Sequence, residues 1–170
     1  MADDPFRVLG VDTSLRSTGV GVVEARGGRL TAVEFGTIPF PARLLHSACL
    51  SGLYAGLADI LRRTSPQAVA IEGVFFARNL KTTLVLGEAR GAVMAACAGA
   101  GIPIFEYAPR SVKQAVAGFG DAEKDQVRRM LMMRLGLAEE PQEDAGDALA
   151  LAVCHLQRIQ GHAALAPEPI

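Results

Sequence analysis

Val8-Leu9-Gly10-Val11 runs into Asp12, and after Thr13-Ser14-Leu15-Arg16-Ser17-Thr18-Gly19 a second apolar run opens, Val20-Gly21-Val22-Val23. A carboxylate at the mouth of a hydrophobic strand is costly to desolvate unless a partner neutralises it. The placement of Asp12 therefore predicts a cation beside it. Taken alone, the stretch fits a nucleotide-phosphate motif as well as a metal site, so the rest of the chain has to decide.

Working outward, Arg7 to Thr13 and Gly19 to Ala25 read as two strands joined by the tight Ser/Thr-rich connection. Arg26-Gly27-Gly28-Arg29 is a turn signal, and Leu30 to Ile38 alternates as a third strand, giving a meander. Pro39-Phe40-Pro41 stops the sheet. A long amphipathic helix is predicted from Ala42 to Arg63, with Leu45, Cys49, Leu53, Leu57 and Leu61 close to helical spacing.

Ala68-Val69-Ala70-Ile71 then repeats the opening pattern, a short apolar run with an acid, Glu72, at its exit. Gly73 to Asn79 reads as a loop, Lys81 to Ala98 as a helix, Ile102 to Tyr107 as a strand, Ser111 to Ala117 as a short helix and Glu123 to Leu135 as a basic one. Leu137 to Gln142 is a loop into a last helix, Asp144 to Gln160. The class is α/β with a mixed five-stranded sheet, a meander followed by two strands made parallel by helical crossovers. Ligands gather at the carboxyl ends of such strands, where Asp12 and Glu72 both lie. One domain is expected over residues 1–162, with 163–170 an Ala/Pro-rich flexible tail.

Length and composition agree with a single globular domain: 170 residues, half of them hydrophobic. The acidic start, Met1-Ala2-Asp3-Asp4, is unlike a signal peptide, and the longest uncharged stretch, Gly91 to Phe105, is too short and too rich in Gly and Ala to span a bilayer. A soluble, cytoplasmic protein is expected. Cys49, Cys97 and Cys154 are odd in number and far apart, which predicts reduced core thiols rather than a disulfide framework or zinc site.

The formal net charge of -1 hides a segregation. Met1 to Phe76 carries seven Lys/Arg and seven Asp/Glu, Ala77 to Arg134 nine and five, Leu135 to Ile170 one and six. A basic belt beside an acidic cluster suits a nuclease, in which the belt holds phosphates and the cluster holds metal. A solvated helix face is the plainer reading of any one of these cations.

Asp144-Ala145-Gly146-Asp147-Ala148 supplies two more acids, three residues apart and so on one helix face. For Asp144 alone, a favourable charge at the helix start is sufficient explanation. Asp147 sits a turn inside a helix otherwise almost wholly apolar from Ala148 through Val153. Converging carboxylates repel by about 4 kcal/mol per pair at ~4 Å for an effective dielectric of about 20, so protonation or metal must relieve them. Hard oxygen donors without a His or Cys cluster point to Mg2+ or Mn2+ and, through such ions, to phosphoryl chemistry.

Six segments in register resemble the RuvC family of bacterial Holliday junction resolvases: the strand ending in Asp12; Ala70-Ile71-Glu72-Gly73-Val74-Phe75-Phe76-Ala77-Arg78-Asn79; Leu86-Gly87-Glu88-Ala89-Arg90-Gly91; Phe105-Glu106-Tyr107-Ala108-Pro109-Arg110-Ser111-Val112-Lys113; Ala122-Glu123-Lys124-Asp125-Gln126-Val127; and Asp144-Ala145-Gly146-Asp147-Ala148-Leu149-Ala150. The resemblance implies an RNase H-like fold, a homodimer, and Mg2+-dependent paired nicking of strands of like polarity in four-way DNA, in company with a branch-migration motor. It makes Asp12, Glu72, Asp144 and Asp147 the metal-binding and catalytic acids, Phe75 the aromatic that stacks at the crossover, and Lys113 and Lys124 phosphate contacts. Arg78, Lys81, Arg110 and Arg128 are further candidates for the DNA face. The family's usual Pro-Gly after its first Asp is replaced here by Thr13-Ser14.

Gly87, Gly91, Ala95 and Gly99 form a small-residue stripe along one helix, and packing against the sheet or against a second subunit fits the spacing equally. Of other classes, an actin-like ATPase shares the Asp-tipped strand but needs two such domains. A nuclease of the same fold acting on flaps or other branched DNA is the closer rival.

Overall fold

In the computed structural model the described residues are 4–73, 79–161 and 167–170. Five strands form one sheet in the order β3-β2-β1-β4-β5: β1 is Phe6–Asp12, β2 Ser17–Arg26, β3 Arg29–Pro39, β4 Ala68–Glu72 and β5 Ile104–Tyr107. The meander β1-β2-β3 is antiparallel, and β4 and β5 join β1 in parallel. This is the RNase H-like arrangement expected from the sequence. The helices are α1 His46–Thr64, α2 Leu80–Gly99, α3 Pro109–Ala117, α4 Lys124–Leu135 and α5 Glu143–Gln160.

Strand alternation sends the side chains of β1 to two separate cores. Leu9 and Val11 face α1 and α2, where they meet Leu53, Leu57, Val93 and Cys97. Val8 belongs to the opposite layer, with Leu149, Val153, Leu156 and Leu131 from α5 and α4. All three cysteines are free and buried, as expected. Among the described residues no helix is long and apolar enough to cross a membrane.

Two predicted boundaries shift for identifiable reasons. The first helix begins at His46 rather than Ala42, because the Arg16 guanidinium donates to the carbonyls of Pro41 and Leu44 and holds that segment as a turn. The fifth strand begins at Ile104 rather than Ile102, since Ile102 N–H is engaged by the Cys97 carbonyl at the end of α2 and Pro103 has no N–H to give. Of the segment expected as a tail, residues 163–166 lie outside the described residues. Beyond them, Ile170 N–H donates to the Ile104 carbonyl at 2.9 Å.

The feature that places the site is the seating of α5. A Cβ on Gly10 would stand 1.8 Å from the Ala148 carbonyl oxygen, and one on Gly19 1.9 Å from that of Asp144. Bare backbone on β1 and β2 thus lets α5 lie directly on the sheet. Its first turn comes to rest over Gly19, the cross-strand partner of Asp12.

Candidate active site

At the carboxyl ends of β1 and β4, under the first turn of α5, lies a cavity of about 540 Å³. Asp12, Glu72 and Asp147 line it, with Lys113 from α3 and Lys124 and Arg128 from α4, against an apolar wall that includes Val112, Leu131 and Leu151. Three of the four acids singled out in the sequence thus meet in one hollow with three of the candidate cations. Asp144 stands beside it, its Oδ2 accepting a hydrogen bond from the Ser17 hydroxyl at 2.5 Å.

The electrostatics follow from burial and crowding. Desolvation, then the charges of Asp147, Glu72 and Asp144, push the Asp12 carboxyl up to about 7, against a partial offset from Lys124. Glu72 and Asp147 are raised for the same leading reason, desolvation. Lys124 is held charged by an ion pair with Glu143 and by the field of Asp147. Of the cations lining the cavity, Lys124 is the one whose charge offsets Asp12, Glu72 and Asp147, and it is shared with Glu143, while Arg128 is paired with Asp125 and Glu140.

Chemically, the donor set fits a hard divalent cation: carboxylate oxygens, that of Asp12 pushed up to about 7 first by burial and then by its acidic neighbours, with no soft ligand among the described residues of the cavity wall. Among the described residues, no three acidic, His or Cys side chains already converge on a single point at ligating distance. His155, on the same helix as Asp144 and Asp147, is no candidate ligand. It is buried between Phe105 and Tyr107, shares a 2.7 Å hydrogen bond with the Tyr107 hydroxyl, and is pushed down to about 4 by burial.

The turn after Asp12 is closed without Pro or Gly. The Thr18 hydroxyl donates to the Ser14 carbonyl and accepts from Ser14 N–H at 3.3 Å, so Thr13-Ser14 is held by a side chain where the sequence pattern lacks a rigid turn residue. The Thr13 hydroxyl, adjacent to Asp12, is buried with no partner among the described residues.

The remaining candidates scatter. Lys81 is exposed in the first turn of α2, and Arg110, exposed at the start of α3, is 3.7 Å from Asp121; neither lines the cavity. Arg128 lines it while pairing with Asp125 and Glu140, both at 2.6 Å. Phe75 and Arg78 lie outside the described residues. Two polar residues at the site had drawn no role from the sequence. Glu143 is signalled only by adjacency to Asp144, and Ser17 only by its place at the start of β2.

A family model described as Crossover junction endodeoxyribonuclease RuvC matches residues 8–155. The protein of that name from Chloroflexus aggregans is 47% identical over 151 residues, covering 88% of this chain and 92% of that one. The one from Magnetococcus marinus is 41% identical over 166 residues, covering 98% and 92%. Among solved structures, T. thermophilus RuvC in complex with Holliday junction substrate matches with a TM-score of 0.89 at 32% identity, over 97% of this chain and 99% of that chain. With the family model spanning most of its length and relatives aligned along nearly all of it, the chain belongs to the RuvC family of crossover junction endodeoxyribonucleases.

Proposed function

We propose that this chain, as a homodimer, resolves four-way DNA junctions by paired nicking of two strands of like polarity, using Mg2+, with Mn2+ able to substitute. The observation that carries this reading is the meeting of Asp12, Glu72 and Asp147 in one cavity with Lys113 and Lys124, where burial, reinforced by the neighbouring acids, raises Asp12 to about 7. Asp12, Glu72, Asp147 and the adjacent Asp144 would hold the metal. When bound, divalent ions supply activation of the attacking water and stabilisation of the departing oxygen. Lys113 and Lys124 orient the phosphodiester over the acids, Arg110 and Lys81, which do not line the cavity, extend the DNA path, and Arg78, outside the described residues, is assigned to the same DNA face. Phe75, just past Glu72, is assigned the stacking role at the crossover.

Dimerisation is supported by α2. Among the described residues, a Cβ on Gly87 or Gly91 would meet nothing within 4 Å, and Leu80 and Leu84 on the same helix are 76% and 59% exposed. An apolar helix face left open within one chain suits a second copy, and two-fold pairing matches a junction's two equivalent strands. A branch-migration motor is the further partner assigned.

The test is cleavage of a synthetic four-way junction, a flap and a plain duplex, with and without Mg2+. Symmetric nicks confined to the junction, absent without metal and absent in Asp12→Asn, are expected. Equal cutting of all three substrates would overturn junction selectivity in favour of a general branched-DNA nuclease, and no cutting in Mg2+ or Mn2+ would overturn the enzymatic reading.

A further inference from the structure

Behind Glu72, away from the cavity, the last peptide unit of β4 is held from two sides. Arg90, on α2 and with its side chain only 13% exposed, donates from Nη1 to the Glu72 carbonyl at 2.7 Å and from Nη2 to the Glu106 carboxylate on β5. Gly73 N–H donates to the Tyr107 carbonyl at 2.8 Å. A Cβ on Gly73 would come to 3.0 Å from Glu106 Oε1, so the carboxylate packs tightly against this peptide. Arg90, Glu106 and the 72–73 peptide thus form one bracket at the exit of β4.

A surface ion pair has little energetic consequence, but here the guanidinium is sheltered, though Glu106 is exposed, and it spends its second nitrogen on main chain. Its target is the carbonyl of the very residue whose carboxylate lines the cavity. A planar guanidinium can satisfy a carbonyl and a carboxylate at once; an ammonium on a flexible stem holds the two less rigidly.

We propose that Arg90, braced by Glu106, is a positioning residue that fixes the Glu72 backbone and thereby the reach of the Glu72 carboxylate toward Asp12 and bound cation. The inference rests on the metal-dependent nuclease reading, and the measurements below separate the two.

Arg90→Met, Arg90→Lys and Glu106→Gln are compared with the parent in three assays: single-turnover junction cleavage at saturating enzyme, junction affinity in Ca2+, and the Mn2+ concentration that gives half-maximal thermal stabilisation. For Arg90→Met the expected result is a rate at least about tenfold lower and a Mn2+ midpoint several-fold higher, with junction affinity unchanged. Arg90→Lys should recover part of both losses, and Glu106→Gln should show a smaller loss in the same direction. Unchanged cleavage and Mn2+ midpoints in Arg90→Lys and Glu106→Gln, both of which keep a polar group in place, would overturn the proposal even if Arg90→Met fails to fold. Loss of junction affinity at an unchanged rate would also overturn it, making Arg90 a DNA contact. A parent that binds Mn2+ but cuts no junction would refute the nuclease reading, while the Mn2+ midpoints still judge the bracket.

Discussion

Helices α2 and α5 are alike in length and in their wealth of small and apolar residues, yet the fold treats them oppositely. Ten residues of α5, from Ala145 to Leu156, are buried, against four on α2, Ala89, Val93, Ala96 and Cys97. The difference is made elsewhere, on the surfaces they meet. The sheet offers α5 a bed of backbone at Gly10 and Gly19, so the helix is sunk against it. The glycines associated with α2 lie on the helix itself, at Gly87 and Gly91, and meet nothing among the described residues. Close approach built into the receiving surface makes a core; close approach offered outward waits for a partner.

Three experiments bear on this contrast. The largest effect is expected at the bed of α5. Gly10→Ala puts a methyl group on the Ala148 carbonyl, where both partners are backbone and neither yields, so destabilisation of about 4 kcal/mol or more is expected in urea unfolding. If Gly10→Ala is tolerated within about 1 kcal/mol, α5 is not seated as rigidly as described.

Next comes the open face of α2. Gly91→Arg has room in the isolated chain, so monomer stability should change by less than about 1 kcal/mol, the usual range for surface substitutions. The dimer dissociation constant should rise by about a hundredfold, roughly 2.7 kcal/mol, by analytical ultracentrifugation. An unchanged dimer would move the subunit interface to another surface.

The smallest effect concerns the charge that α5 brings to the sheet. Asp12 is held well above the 3.8 of an unfolded carboxyl, at about 7. Its ionisation therefore opposes folding at pH 8 without metal, and that penalty disappears as pH falls through 7 toward 4. In metal-free buffer at pH 8, Asp12→Asn should raise stability by roughly 2 kcal/mol, about 5 °C in Tm, after allowing for partial solvation. The gain should shrink toward zero near pH 4. An equal gain at both pH values would show that ionisation of the buried, acid-flanked Asp12 is not its cause.

The contrast also explains what could be read in advance. The meander, the two parallel strands and the acids at their exits were legible because alternation, turn residues and a carboxylate ending an apolar run are local patterns. Asp12 and Asp147 were conspicuous as charges set in apolar surroundings, whereas Glu72 only repeated the pattern of Asp12 and drew its weight from the family resemblance. The stripe at Gly87 and Gly91 stayed ambiguous because spacing describes a helix and says nothing of what lies across from it. Glu143 and Ser17 went unread for a related reason: one matters through Lys124, nineteen residues away, and the other through Asp144, across 127 residues of chain. The start of α1 was misplaced by a side chain, Arg16, that no helical pattern contains.

The three buried thiols give this architecture its own stopwatch. Cys49 and Cys97 sit in the α1/α2 layer and Cys154 in the α5 layer, all closed to reagent in the folded molecule. Burial also pushes the Cys97 and Cys154 thiols up to about 11, so attack on them must wait for an opening. The rate at which a thiol reagent modifies each one therefore clocks the opening of one side of the sheet at a time.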